Sequence, residues 1–252
     1  MIAVITTSML VFTRFGALLA MAPMFSARGI PRHVPILSAV LLTLLVTPHV
    51  QVAAAPSSLA ALLVAMAGEI GMGVVIGGAV RMVFGAVAMA SEMMAMEMGL
   101  GNFSLLNPLI ETQEGPLGTL STLLAAIFFI ETDLHLVLLQ RVADSFDVAP
   151  PGTVSQVAHA AEPLADLLAQ SFSLGFQLAG PVLLYTWMIN LFIALLTKLA
   201  PRMNVYFSIG IGLGSPMGIA ILAFSLPWVL YVHQQRLAEV IGGLTRMIRG
   251  MA

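Results

Sequence analysis

The densest cluster of groups able to hold a metal or pass a proton is Glu131-x-Asp133-x-His135. On one continuous helix Glu131 and His135 would share a face and Asp133 would point away. A metal site normally takes three or four ligands. No second histidine stands at ligand spacing, so a helix end reaching a polar boundary explains the cluster better, with a proton relay as the other reading. Gly212-Leu213-Gly214-Ser215-Pro216 has the glycines and serine of a nucleophile elbow in the wrong order. His233 lies about five turns further along, out of reach of that serine. There is no H-E-x-x-H, phosphate-binding loop or dinucleotide fingerprint. No catalytic, metal or cofactor-binding residue is therefore assigned, and the expectation is a protein that is not an enzyme and needs no cofactor.

The remaining charged residues sit where charge is costly. Glu69, Arg81, Glu92 and Glu97 fall within one apolar stretch, the third helix of the pattern. Ionisable groups in such helices usually face protein or water. Arg81 and Glu92 share a face about 16 Å apart and cannot pair directly. This helix is expected to line a subunit interface or a water-filled path; the plainer reading is that its ends extend beyond the bilayer. Met89, Met93 and Met96 share one face by spacing, and Met94 and Met98 lie beside them. Methionine fills irregular gaps and adapts to varied surfaces, so the stripe reads as core, with a soft seal around a passing chain as the alternative. Gly73-x-x-x-Gly77 permits close helix approach, within the chain or between subunits.

The elements carrying these residues are those of a membrane protein. Of 252 residues 59% are hydrophobic and 9% charged, and the net charge is −2; the mean hydropathy is +1.00. Soluble domains carry about 25% charged residues. The charge balance argues against nucleic acid as a partner. Without cysteine there are no disulfides. No basic segment precedes the first apolar run, so no cleaved signal is expected.

The pattern is all-α, with about six hydrophobic helices. Helix one spans residue 2 to Phe25. Helix two, Ile36 to Thr47, rises about 18 Å and is too short to cross a core of about 30 Å. Helix three spans Leu59 to Met98 and helix four Leu117 to Ala143. A polar linker, 144–166, includes a possible surface helix near Ala158–Asp166. Helix five, Leu167 to Thr197, and helix six, Met203 to Gln235, are charge-free and contain Pro181, Pro216 and Pro227. An amphipathic tail, Arg236 to Ala252, is expected to lie on a membrane or partner surface. If all six segments cross, Arg28, Arg32, Lys198 and Arg202 face one side and Arg141, Arg236, Arg246 and Arg249 the other. This tie sets no orientation and suggests that some segments are packed inside a larger assembly.

Between helices three and four runs a long loop with Phe103, Leu105, Leu106, Leu109 and Ile110, the breaker pairs Asn107-Pro108 and Gly115-Pro116, two acids and no base. It is too apolar for a solvated linker and too long for a tight turn. An ordered loop packed against something is expected.

Four stretches in this order resemble the FliR family of flagellar type III export-gate subunits. They are Arg14 with Ala22-Pro23-Met24-Phe25 and Arg28-Gly29-Ile30-Pro31; Glu92 to Gly99, then Asn107-Pro108; His135-Leu136 to Ser145-Phe146 and Pro151-Gly152; and Pro181-Val182 to Asn190, then Ala200-Pro201-Arg202-Met203-Asn204-Val205. The last is the most specific, although Arg202 stands where the family usually has Gln.

The resemblance implies a non-enzymatic subunit that joins FliP and FliQ in a helical ring in the bacterial inner membrane, with FlhB and FlhA nearby. That ring is the pore for unfolded flagellar export substrates. It also implies that residues 1–143 resemble FliP and 167–235 a FliQ hairpin, and that the loop near Phe103–Gly118 plugs the closed pore. The implied plug residues are Phe103, Leu105, Leu106, Asn107, Pro108, Leu109, Ile110, Gly115 and Pro116. Met93, Met94, Met96 and Met98 are the gasket candidates. Arg28, Arg32, Glu69, Arg81, Glu92, Asn190, Pro201 and Asn204 are the subunit-interface candidates. The alternatives are the injectisome counterpart and a small-molecule or ion transporter.

Overall fold

A computed structural model describes residues 2–26, 31, 33–50, 58–100, 115–152, 157–199 and 211–251. Among them every regular element is helical. The elements are α1 (Ile2–Met21), α2 (Pro23–Ser26), α3 (His33–Val46), α4 (Leu59–Glu97), α5 (Pro116–Glu131), α6 (Leu134–Val148), α7 (Ala161–Leu199) and α8 (Ile211–Met251); 3-10 turns at Thr47–His49 and Val157–Ala160 follow α3 and precede α7. Ala3–Met21, Leu59–Glu97, Ala161–Leu199 and Pro216–Met251 are long and apolar enough to cross a membrane, and α5 with α6 adds a fifth span if the bent pair counts as one. The protein is an all-α membrane protein.

Local chemistry explains where the helices stop. Pro23 has no N–H to continue the ladder of α1, so the expected helix to Phe25 breaks at Ala22, where Ala22 N–H still reaches the Leu18 carbonyl at 2.9 Å. Within α1 the hydroxyls of Thr7, Ser8 and Thr13 donate to carbonyls one turn back. Apolar surroundings offer them no other acceptor. The short α3 lies beside α1 and begins three residues before the expected Ile36. Pro35 fits its first turn, where no amide donor is needed.

Three expectations are corrected. Helix four is not continuous to Ala143: α5 and α6 meet at a 68° bend. Asp133 carries it in the left-handed region at φ 56°, ψ 11°, a conformation that Asp tolerates better than most residues. The bend removes the shared helical face proposed for Glu131 and His135. The polar linker is shorter than 144–166, because α6 runs on to Val148 and α7 starts at Ala161. The tail is not a separate surface helix: α8 continues unbroken to Met251. Leu237, Ile241, Leu244, Ile248 and Met251 recur at helical spacing and are all buried. Their burial holds the helix through Gly242-Gly243, a pair that propensity alone would disfavour.

The chain forms two compact units. The first comprises Met1–Val83, Phe129–Gln170 and Arg236–Ala252, and the second Phe84–Phe128 and Ser171–Gln235. In the first, α1 buries Leu10, Val11, Phe15, Leu18 and Leu19, and α4 buries Met72, Val75, Ile76 and Ala79. The two helices touch at the glycines flagged by spacing. A Cβ on Gly73 would lie 2.5 Å from the Arg14 carbonyl oxygen, and one on Gly77 2.7 Å from Met21 Cβ. The small-residue pair thus serves packing within the chain. The outer face of α1 is apolar as well, with Val4, Ile5 and Met9 exposed, as expected of a helix between a protein core and lipid. In the second unit α4 and α7 close on Gly175, which leaves no room for a side chain beneath Met89.

These contacts separate two glycines that sequence alone treats alike. Gly73→Ala should destabilise the protein, because its Cβ meets backbone. Gly78→Ala, with nothing within 4 Å, should stabilise it by about 0.5–1 kcal/mol through helix propensity. Thermal unfolding of both variants in mild detergent checks the opposite signs.

Candidate functional site

The centre of the first unit is charged. Arg14, on an otherwise apolar helix, is buried at 1% exposure, and so is Glu69 on α4. Arg14 Nε donates to Glu69 Oε2 at 2.6 Å. Its other two nitrogens donate to Ser145 Oγ at 2.8 Å and to the Ala149 carbonyl at 2.9 Å. The Phe146 ring lies 4.1 Å from the guanidinium carbon, within cation–π range. Glu69 Oε1 accepts the N–H of Gly152 at 3.2 Å. Gly152 has φ 88°, which suits glycine. The planar guanidinium thus binds the end of α6 and the Pro150-Pro151-Gly152 turn to α1 and α4. A lysine could not reach three acceptors in these directions.

In the second unit both ends of the long loop are fixed to the last turns of α4. At its start Gly99 adopts φ 74°. Leu100 N–H reaches the Ala95 carbonyl at 2.8 Å and Gly99 N–H the Met96 carbonyl at 3.0 Å, the Schellman arrangement that closes a helix. At its end Gly115 N–H donates to Glu92 Oε1 at 2.6 Å, and Pro116 opens α5, a favoured first position. Glu92 thereby places an anion at the amino end of α5, where the helix dipole favours it. A third acid, Glu97, accepts from Thr186 Oγ1 at 3.1 Å and Trp187 Nε1 at 3.4 Å.

The candidate residues therefore scatter. Glu69 is enclosed and paired inside its own chain, so it presents no surface to a neighbouring subunit. Arg81 and Asn190 are exposed, and Glu92 is half-buried in its cap. Met94 and Met98 belong to the core, Met93 is half-buried and Met96 is exposed. A Cβ on Gly218 would collide with Met98, so that methionine fills a helix contact. Phe103, Leu105, Leu106, Asn107, Pro108, Leu109 and Ile110 lie outside the described residues, as do Arg28, Arg32, Pro201 and Asn204. Of the plug candidates only Gly115 and Pro116 are placed, at the anchored end of the loop.

Glu131, Asp133 and His135 do not converge, and no cluster of metal-binding groups occurs among the described residues. His135 instead packs on Phe129, with 6.4 Å between ring centroids. His233 is fully buried in the second unit, edge-on to Phe84 at 5.1 Å.

Sequence reasoning missed the Arg14–Glu69 pair. A signal was present: a base and an acid each embedded in an apolar helix require partners. It also missed Thr186 and Trp187 as donors to Glu97, which no local pattern marks.

Comparison with known proteins places the chain among flagellar export proteins. Residues 5–240 match the family described as bacterial export proteins, family 1. The flagellar biosynthetic protein FliR of Caulobacter vibrioides is 30% identical over 234 residues, covering 92% of this chain and 93% of that protein. FliR of Pectobacterium carotovorum is 29% identical, with 91% and 87% covered. FliR of Escherichia coli K12 is 27% identical, with 93% and 90% covered.

The geometry of the buried pair predicts an asymmetric response to substitution. Arg14→Met alone should destabilise the chain by about 3–5 kcal/mol, because Glu69 is left as an unpaired buried charge. Arg14→Met with Glu69→Leu should recover most of that loss. Unfolding in detergent, followed by the monodisperse fraction against temperature, checks both.

Proposed function

The chain belongs to the bacterial export proteins, family 1, and is a membrane component of the flagellar export apparatus; on that footing we propose that it joins FliP and FliQ in the inner-membrane pore for unfolded flagellar proteins. FlhB and FlhA work beside this assembly. The chain's part is structural rather than enzymatic. Its residues 1–143 take the place of a FliP-like subunit and 167–235 that of a FliQ-like hairpin. The tie in the charge count supports this placing within a larger assembly, and so does α3, too short to cross alone.

Within that pore the loop between α4 and α5 acts as a plug, and the methionine-rich end of α4 lies beside it. The observation that carries this reading is the double anchoring of the loop on α4, at Gly99 and through Glu92 to Gly115. An apolar segment tied at both ends to one helix terminus can be displaced and return to the same place. A free linker would not keep its position.

Deleting Leu109–Glu114 should raise small-ion leakage across the inner membrane while FliP and FliQ still co-purify with the chain. Leakage at the wild-type level in an assembled complex would remove the plug from the account.

A further inference from the structure

Arg14 is a charge whose partners all come later in the chain. Glu69 follows it by 55 residues, Ser145 by 131 and Ala149 by 135. The helix that carries it, α1, is the first to be made. Arg14 is its one charged residue and stands well inside its 20 residues. Thr6, Thr7, Ser8, Thr13 and Gly16 reduce its apolar content further. One arginine near the centre of a membrane helix offsets the gain from several leucine-like residues. By length α1 can cross a membrane; by composition it is a marginal span until its charge is met.

The folded chain meets that charge from inside. The guanidinium is buried and its three nitrogens are each engaged, by Glu69, Ser145 and the Ala149 carbonyl. It does not reach along the helix to a wet boundary, as a snorkelling arginine does. The two members of the pair are not equivalent before they meet. A lone glutamate can enter an apolar phase as the neutral acid, whereas arginine keeps its charge. Glu69 also sits on α4, which at 39 residues is about twice as long as α1.

We propose that α1 takes its place in the membrane only when α4 brings Glu69 to Arg14, so that the insertion of the first helix is conditional on one made later. The charge pair is the lock that commits α1. Gly73 and Gly77, where α1 lies too close to α4 for a side chain, then fix its position along α4. This dependence belongs to the maturation of the chain itself and stands apart from the plug reading.

The sequence has no cysteine, so Met9→Cys, on the exposed outer face of α1, supplies a single thiol for the test. The full chain is made in its own bacterium in a short pulse, and both membrane faces are opened to a membrane-impermeant maleimide before degradation sets in. A thiol in lipid or in a protein contact stays unlabelled. With Arg14 and Glu69 intact, Cys substitution at Met9 should be protected. Glu69→Leu should raise labelling about tenfold, because the unpaired arginine keeps α1 out of the hydrocarbon. Arg14→Leu alone, and Arg14→Leu with Glu69→Leu, should stay protected, since neither leaves a base on α1. Labelling in Glu69→Leu no higher than with the pair intact would overturn the proposal. So would equally raised labelling in the two single variants, the mark of general unfolding, or a double variant labelled like Glu69→Leu.

Discussion

The first unit is built around a charge pair that an apolar environment makes expensive. Arg14 and Glu69 are both removed from solvent, so each depends on the other and on the polar groups that complete their hydrogen bonds. Ser145, the Ala149 carbonyl and Gly152 N–H supply those groups. The consequences spread outward through geometry. Glu69 can reach Arg14 because α1 and α4 approach closely at Gly73 and Gly77. The guanidinium can reach Ala149 because α6 swings back toward α1 after the bend at Asp133. In an environment where apolar contacts are available in every direction, such a pair contributes register more than net stability: it specifies which faces meet.

The second unit solves a different problem, the exit and re-entry of a long loop. Here the polar groups are few and each acts at a helix end. Gly99 closes α4, and Glu92 turns an acid inside an apolar helix into the cap of α5. Two of the four acids and bases that look anomalous in α4 are thus explained by partners within the chain: Glu69 by Arg14 and Glu92 by Gly115. Glu97 accepts from the neutral donors Thr186 and Trp187, and Arg81 is exposed.

Much of the fold was legible because it follows from local pattern. Composition forced a helical membrane protein, the limits of α4 followed from its apolar run, and the brevity of α3 followed from its short apolar run before Pro48, whereas Pro35 sits inside its first turn instead of bounding it. The misreadings have one physical origin, interactions between residues distant in sequence or backbone states invisible to periodicity. A left-handed Asp133 bends what hydropathy reads as one helix. The buried stripe from Leu237 to Met251 holds as helix a tail that its glycines and charges mark as separate. Glu69 was read as facing a neighbour because its partner lies 55 residues earlier, and no spacing rule connects them. The methionines divide between core and surface because successive helical positions point about 100° apart, so a run of one residue type is not one site.

The central claim is that this membrane chain is part of the flagellar export apparatus. The most direct measurement removes the chain from its own bacterium and quantifies flagellar subunits secreted into the medium, with cytoplasmic pools measured in parallel. The account predicts that secretion stops while the subunits continue to accumulate inside, and that re-expression of the intact chain restores it. Undiminished secretion without the chain would contradict the account.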